Sequence, residues 1–276
     1  MEGYAYYNGK TGLCDEITIP LTDRLIYFGD GVYDVIVGHY ERLFLEDEHI
    51  ERFFSNMEFL RIQPPGEKGE IKEIIHKLTK RSGYESYLVY VSASRNAPQR
   101  MHSFLCSDRT NLLIIIREFE MATSGALDLT VTEDKRYKFC NIKTTNLLPS
   151  VLASTLAEEK GCDEAVFVRD GIVTECSHSN IFIAKGDTLI THPATNLILP
   201  GIIRGFVIKN AAELGIEVLE SEFSIEDLYN ADEVLVTSTT KLICEARTVD
   251  GIAVGGKNPA LVQQLKTYIL NSYNEI

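Results

Sequence analysis

Lys143 lies in the run Cys140-Asn141-Ile142-Lys143-Thr144-Thr145-Asn146, with no carboxylate within six residues on either side. A lysine without a local acidic partner is readily desolvated, which lowers its pKa and frees the amine as a nucleophile toward an aldehyde. Taken alone, the same pattern also describes a solvated surface lysine. Glu175 closes a strand-like run before Cys176-Ser177-His178-Ser179-Asn180; a strand-end carboxylate among small residues could face a protonated ring nitrogen, or water. Arg100 and His102 stand two apart, so in an extended chain both side chains leave on one face. Together they make a small cationic pocket for a carboxylate, where a charge-assisted hydrogen bond is worth roughly 1.5–3 kcal/mol. Leu199-Pro200-Gly201-Ile202-Ile203-Arg204 opens a helix behind a glycine, and the first N–H groups of a helix suit a phosphate. Thr237-Ser238-Thr239-Thr240 ends a strand with successive hydroxyls that could wrap a phosphate or form a turn.

Other chemistries lack their residues. The sequence has no G-x-G-x-x-G, G-x-x-x-x-G-K-[ST], H-E-x-x-H or G-x-S-x-G pattern, and its six histidines show no metal-ligand spacing. The six cysteines contain no Cys-x-x-Cys pair and read as buried free thiols kept reduced in the cytosol.

The elements that must position these groups fall into two textures. Tyr4 to Tyr7 and Val32 to Val37 read as strands, and Ile50, Phe53, Phe54, Met57 and Leu60 recur at helical spacing. A second helix carries Ile71, Ile74, Ile75 and Leu78 and stops at Gly83. Strands are expected at Tyr87 to Ser94 and Leu112 to Arg117, with a polar loop, Arg95 to Arg109, between them. After a linker at 119–125, Leu127, Leu129 and Val131 alternate, and Asp170-Gly171 marks a hairpin between Glu164–Arg169 and Ile172–Glu175. Helices are expected at Ser150 to Lys160, Ile202 to Leu214 and Pro259 to Tyr273. Strands and helices mixed without strict alternation predict two α+β domains rather than a doubly wound sheet: a small N-terminal domain at 1–118 and a large C-terminal one at 126–276. A cleft between two domains is the default place for a ligand.

With 276 residues, 45% hydrophobic and 24% charged, the chain has a globular composition. Its 27 basic and 40 acidic residues leave a net charge of −13, which repels nucleic acid and anionic bilayers. There is no stretch long and apolar enough for a membrane span, and Met1-Glu2-Gly3-Tyr4 is no signal peptide, so a cytoplasmic protein is expected.

Taken together, and in this order, Phe28-Gly29-Asp30-Gly31-Val32-Tyr33, Glu48-His49-Ile50-Glu51-Arg52, Arg100-Met101-His102, Asn141-Ile142-Lys143, Glu175 to Asn180, Gly201 to Arg204 and Thr237 to Thr240 resemble the class IV, fold-type IV, pyridoxal phosphate aminotransferases. The likeness covers nearly the whole chain and is strongest to the D-amino acid aminotransferase branch. It implies an α+β enzyme with a smaller N-terminal α/β sandwich and a larger, mixed β-barrel-like C-terminal domain that binds pyridoxal 5'-phosphate. By resemblance Lys143 carries the cofactor and shuttles the proton, while Glu175 keeps the ring nitrogen protonated. Arg52, Ser177, Ile202, Ile203, Ser238 and Thr239 are the further cofactor contacts. Tyr33, Arg100 and His102, with Arg136, would bind the substrate carboxylate, the Arg100–His102 loop serving the partner subunit of a homodimer. The implied reaction moves an amino group from a D-amino acid such as D-alanine to a 2-oxo acid. A branched-chain L-amino acid aminotransferase, an aminodeoxychorismate lyase and a non-catalytic cofactor-binding module are the alternatives. Three positions depart from the family pattern: Ile203 stands in place of Thr, His178 in place of a small residue, and Phe139 in place of Arg.

Overall fold

The computed structural model describes residues 3–121 and 125–275, which form two compact units. The first holds residues 3–121 together with Ile142–Asn146; the second holds residues 125–141 and Leu147–Glu275. The lysine segment thus packs with the N-terminal unit, although the sequence reading assigns all of 126–276 to the C-terminal domain. Of the linker expected at 119–125, residues 122–124 lie outside the described residues.

The first unit runs β1 (Tyr4–Tyr7), β2 (Lys10–Leu13), α1 (Arg24–Phe28), β3 (Gly31–His39), β4 (Arg42–Leu43), α2 (Glu46–Phe59), α3 (Lys68–Ser82), β5 (Ser86–Asn96) and β6 (Arg109–Glu118). Its strands pair antiparallel in the order β2-β1-β6-β5-β3-β4. α2 packs on β3, and α3 on β1 and β6. The apolar stripe predicted for α2 delivers Ile50, Phe53 and Met57 into a core with Val32, Ile36, Val89, Val91, Ile114 and Ile116. Each of these large side chains, fully buried, contributes roughly 1.5–3 kcal/mol. β5 extends to Asn96 and β6 begins at Arg109, so the connecting loop is 97–108. Arg95 was expected in that loop, but it is buried and paired with Asp30, which lets the strand continue through a charged residue.

The second unit runs β7 (Leu127–Glu133), α4 (Leu148–Glu159), β8 (Glu164–Arg169), β9 (Ile172–Cys176), β10 (Asn180–Lys185), β11 (Thr188–Thr191), α5 (Ile202–Asn210), β12 (Glu217–Glu220), α6 (Ile225–Asn230), β13 (Glu233–Ser238), β14 (Leu242–Val249), β15 (Ile252–Ala253) and α7 (Pro259–Asn274). The sheet order is β12-β11-β10-β13-β14-β7-β8-β9, with β15 on β14. It is mixed: β11–β12, β14–β7 and β7–β8 pair parallel. The β8–β9 hairpin turns at Asp170 and Gly171, both at positive φ, as the Asp-Gly pair predicts. The helix expected over Ile202 to Leu214 is α5 followed by a 3-10 turn at Ala211–Leu214. All six cysteines are free, but only Cys176 and Cys244 are buried; Cys14, Cys106, Cys140 and Cys162 are partly exposed. Among the described residues no helix is long and apolar enough to cross a membrane.

Candidate functional site

In the first unit, β3 presents adjacent residues to opposite faces, so Tyr33 and Asp34 serve different surroundings. Asp34 is fully buried beneath α2, whose residues His49 and Arg52, three apart, both reach it. His49 Nδ1 lies 2.7 Å from Asp34 Oδ1, Arg52 Nε donates to Oδ2 at 2.8 Å, and Nη2 donates to Oδ1 at 2.8 Å. The Arg52 guanidinium, helped by the His49 imidazole, outweighs the burial of the Asp34 carboxyl and holds it well below the usual carboxylate range. Burial pushes the His49 imidazole down despite that carboxylate.

On the other face Tyr33 stacks on Tyr90 with ring centroids 5.2 Å apart. The lysine segment is laid against this strand: Tyr33 N–H donates to Lys143 O at 2.9 Å, Thr145 N–H donates to Gly31 O at 3.2 Å, and Val32 bridges Thr144. Ile142 anchors the segment in the core, and Lys143, half-buried, holds its Nζ 4.6 Å from the Tyr33 ring centroid. Thus Tyr33 and Lys143, two of the residues singled out from sequence, meet directly.

Arg100 and His102 sit in the 97–108 loop, both exposed and both beside Phe28: the Arg100 guanidinium is 5.1 Å, and the His102 ring 5.4 Å, from the Phe28 centroid. Phe28 ends α1, where Gly29 takes the left-handed conformation with φ 57°, a cap that a glycine supplies without strain. The Gly29 carbonyl accepts from Thr145 Oγ1 and Asn146 Nδ2, each at 2.8 Å.

In the second unit the centre is Glu175, near the end of β9 and only 5% exposed. Its carboxylate receives Arg136 Nη1, Asn180 Nδ2 at 2.9 Å and the Leu199 N–H at 3.0–3.1 Å. Burial pushes the Glu175 carboxyl up to about 7, because Arg136 divides its charge between Glu175 and Asp134 and offsets the burial only in part. Arg136, expected at the substrate, gives its guanidinium to Asp134, Glu175, Thr174 and the Leu197 carbonyl. The two carboxylates raise its own pKa.

Asn180 opens β10 and pairs in register with Thr237 of β13, which brings the hydroxyl run Ser238 to Thr240 to the same end of the sheet. The start of α5 is there too: a Cβ at Gly201 would lie 2.0 Å from Asn180 Oδ1, so only glycine lets this helix end approach the amide. No side chain caps α5, and the hydroxyl of Thr237 is buried without a partner among the described residues. Ile203 is buried and Ile202 half-buried, so these two residues can offer backbone N–H groups at the helix start, while Ser238 and Thr239 are half-buried beside them. Ser177, expected at the cofactor, gives its hydroxyl to Glu164 at 2.8 Å.

Several groups in these networks were not singled out from sequence. Glu164, buried on β8, also accepts from Ser179 Oγ at 2.9 Å and the His178 N–H at 3.0 Å, and pairs with His178 Nδ1 and Lys241. It clamps the turn between Glu175 and Asn180. Asp34 is another; its only sequence signal is polarity inside an otherwise apolar strand.

The family model for class IV amino-transferases matches residues 31–249. The chain is similar to the D-alanine aminotransferase of Bacillus licheniformis, with 32% identity over 96% of this chain and 95% of that one. To the D-alanine aminotransferase of Listeria monocytogenes the identity is 34%, over 93% and 91% of the two chains. In fold it is similar to the branched-chain aminotransferase of Thermoproteus uzoniensis, with a TM-score of 0.91 at 23% identity over 99% of this chain and 96% of that one. A family match spanning all the elements that carry Tyr33, Arg52, Lys143, Glu175 and Gly201 leaves one assignment: the chain is an enzyme of the class IV amino-transferase family.

Proposed function

We propose that this enzyme uses pyridoxal 5'-phosphate to transfer an amino group from a D-amino acid to a 2-oxo acid, acting as a cytoplasmic homodimer whose subunits share each active site. The observation that carries the substrate reading is the exposed pair Arg100 and His102 around Phe28, a cationic site for a carboxylate on a chain of net charge −13. The D-alanine aminotransferases that match over nine-tenths of the chain support the same reading.

The residues present suit the cofactor. The glycine-only approach of α5 to Asn180, the uncapped helix start and the Thr237 hydroxyl, buried without a partner among the described residues, make a cradle for a phosphate, beside a buried carboxylate that could face a ring nitrogen. Arg52, held by Asp34, would add the phosphate's counter-charge, with Ile202, Ile203, Ser238 and Thr239 as its neutral donors. When bound, pyridoxal phosphate supplies the electron sink for negative charge developing at the substrate α-carbon.

Glu175, with a pKa of about 7, can hold a proton against a ring nitrogen at neutral pH, and Arg136, Asn180 and the Leu199 N–H keep its carboxyl in one orientation. Lys143 Nζ would take the proton from the substrate α-carbon and later return it, one amine acting as base and then acid. Tyr33 sets the position of that Nζ through its ring and through the Lys143 carbonyl. Arg100 and His102 fix which substituent of the α-carbon meets Lys143, and so which enantiomer reacts.

The test is a single half-reaction. Enzyme loaded with pyridoxal phosphate is mixed in turn with D-alanine, D-glutamate, L-leucine and L-glutamate, and growth of the pyridoxamine form is followed by absorbance. Conversion by the D-compounds is expected. Conversion by L-leucine alone would establish the branched-chain reading instead, and absence of any cofactor band would overturn the cofactor assignment.

A further inference from the structure

α1 is fastened at both ends. Asp23 caps its start, accepting from the Leu25 N–H at 2.9 Å while its carboxylate also takes Ser94 Oγ at 2.7 Å and Tyr7 Oη at 2.9 Å. At the other end the Gly29 carbonyl takes Thr145 and Asn146. From this rigid peg rises Arg24, a charged side chain only 4% exposed.

The guanidinium of Arg24 is fully directed. Nε donates to Asp30 Oδ2 at 2.7 Å, Nη1 to the Met101 carbonyl at 2.5 Å and Nη2 to the His102 carbonyl at 3.0 Å. Its Cζ lies 4.6 Å from the Phe28 centroid, the ring that Arg100 and His102 also approach. Asp30 is held in turn by Arg95, which donates to its other oxygen and to the Leu60 carbonyl and lies 4.2 Å from the Phe104 ring. A planar fork that donates to two consecutive carbonyls fixes two peptide planes, and with them the directions in which the flanking side chains leave.

We infer that Arg24, oriented by Asp30, is the positioning residue for substrate carboxylate binding: it holds the Arg100-Met101-His102 loop in its binding conformation without touching the substrate. This rests on the reading above in which Arg100 and His102 bind that carboxylate. It predicts an effect on KM, with cofactor binding untouched, because the donors of Arg24 go to Asp30 and to the two loop carbonyls.

The experiment uses the cofactor-loaded enzyme with D-alanine as donor and 2-oxoglutarate as acceptor. KM, kcat and pyridoxal phosphate affinity are measured for Arg24→Ala, Arg24→Lys, Arg100→Ala and the Arg24→Ala/Arg100→Ala double variant. Both Arg24 variants should raise KM by about tenfold or more, as small displacements of positioning groups do, with kcat within about threefold and cofactor affinity unchanged. The rise in KM in the double variant should fall well short of the product of the two single effects, since part of the effect of Arg24 passes through Arg100. Arg24→Lys is the deciding variant if Arg24→Ala does not fold: it keeps the charge that Asp30 and Phe28 require but cannot donate as a fork to both carbonyls. A normal KM in Arg24→Lys, or in Arg24→Ala, alongside a raised KM in Arg100→Ala, would overturn the inference while leaving the substrate reading intact. A normal KM in Arg100→Ala would remove the reading itself, and the inference with it.

Discussion

Asp34 grips Arg52 along the edge of its guanidinium, Nε to Oδ2 and Nη2 to Oδ1 at 2.8 Å each, while sharing Oδ1 with His49. Two parallel charge-assisted bonds leave the arginine one orientation rather than a fan of rotamers. A fully buried carboxylate between two basic side chains also makes the first unit sensitive to loss of a single charge.

Asp34→Ala is therefore expected to lower the unfolding free energy by about 3–5 kcal/mol, the usual consequence of stranding the other half of a buried pair. Phosphate-cofactor affinity should fall at least ~10-fold as Arg52 loses its brace. The sign of the pH effect follows from the depressed carboxyl: its stabilisation is complete above the ordinary aspartate value of about 4 and is lost as pH falls through the lower folded value. Denaturant titrations from pH 6 downward should show a shallower acid loss in Asp34→Asn than in the parent; identical slopes would contradict the assignment.

Glu175 should act in the opposite sense. Its carboxyl is raised from 4.5 to about 7, so the native chain binds more protons than the unfolded one across that interval. Stability of the cofactor-free protein should consequently fall as pH rises from about 4.5 to about 7. Urea midpoints at either end of this window should differ in the parent and converge in Glu175→Gln. In the loaded enzyme the same substitution is expected to lower kcat by about 10²-fold or more, as removal of a preorganised electrostatic group does.

The glycine that precedes α5 and the one inside it make a matched pair. At Gly201 an added methyl would force Asn180 off Glu175, whereas at Gly205 it meets no atom within 4 Å. Gly201→Ala should cost about 1–3 kcal/mol by overpacking and weaken cofactor binding. Gly205→Ala, inside the helix, should stabilise by roughly 0.5–1 kcal/mol with cofactor affinity unchanged. Thermal melts and absorbance titrations of the two variants, with and without cofactor, check both halves.

Glu164→Gln keeps the shape of the side chain but removes the charge that His178 and Lys241 face and sets an NH2 among hydroxyl donors. A loss of about 1–3 kcal/mol is expected from the disturbed buried hydrogen bonds. Because the turn from Ser177 to Ser179 joins Glu175 to Asn180, cofactor affinity should fall alongside stability. A melt unchanged from the parent would show that the turn holds without this carboxylate.

Much of the fold was legible because its signals are local. The stripe of α2, the Asp170-Gly171 hairpin and the glycines that end α3 and precede β8 each act within a few residues. The likeness to known motifs pointed to Lys143 and Glu175, and the structure finds Lys143 against Tyr33 and Glu175 buried among donors. What stayed hidden depends on distant partners. Arg95 continues a strand because Asp30, sixty-five positions earlier, neutralises it. Arg24 reads as an ordinary surface arginine until Met101 and His102, seventy-seven and seventy-eight positions later, arrive on its fork. Arg136 looks available to a ligand because nothing in its own segment shows that Asp134 and Glu175 already occupy it.

The five residues of α1 and the glycine that ends it face two ways: Arg24 fixes the loop bearing Arg100, and the Gly29 carbonyl fixes the segment bearing Lys143. Both segments are gauged from one datum, each through its own contacts. That arrangement makes the 97–108 loop an interchangeable part. Its sequence can be rewritten around the two carbonyls that Arg24 holds, with the lysine left in register, so that substrate preference can drift while the chemistry stays fixed.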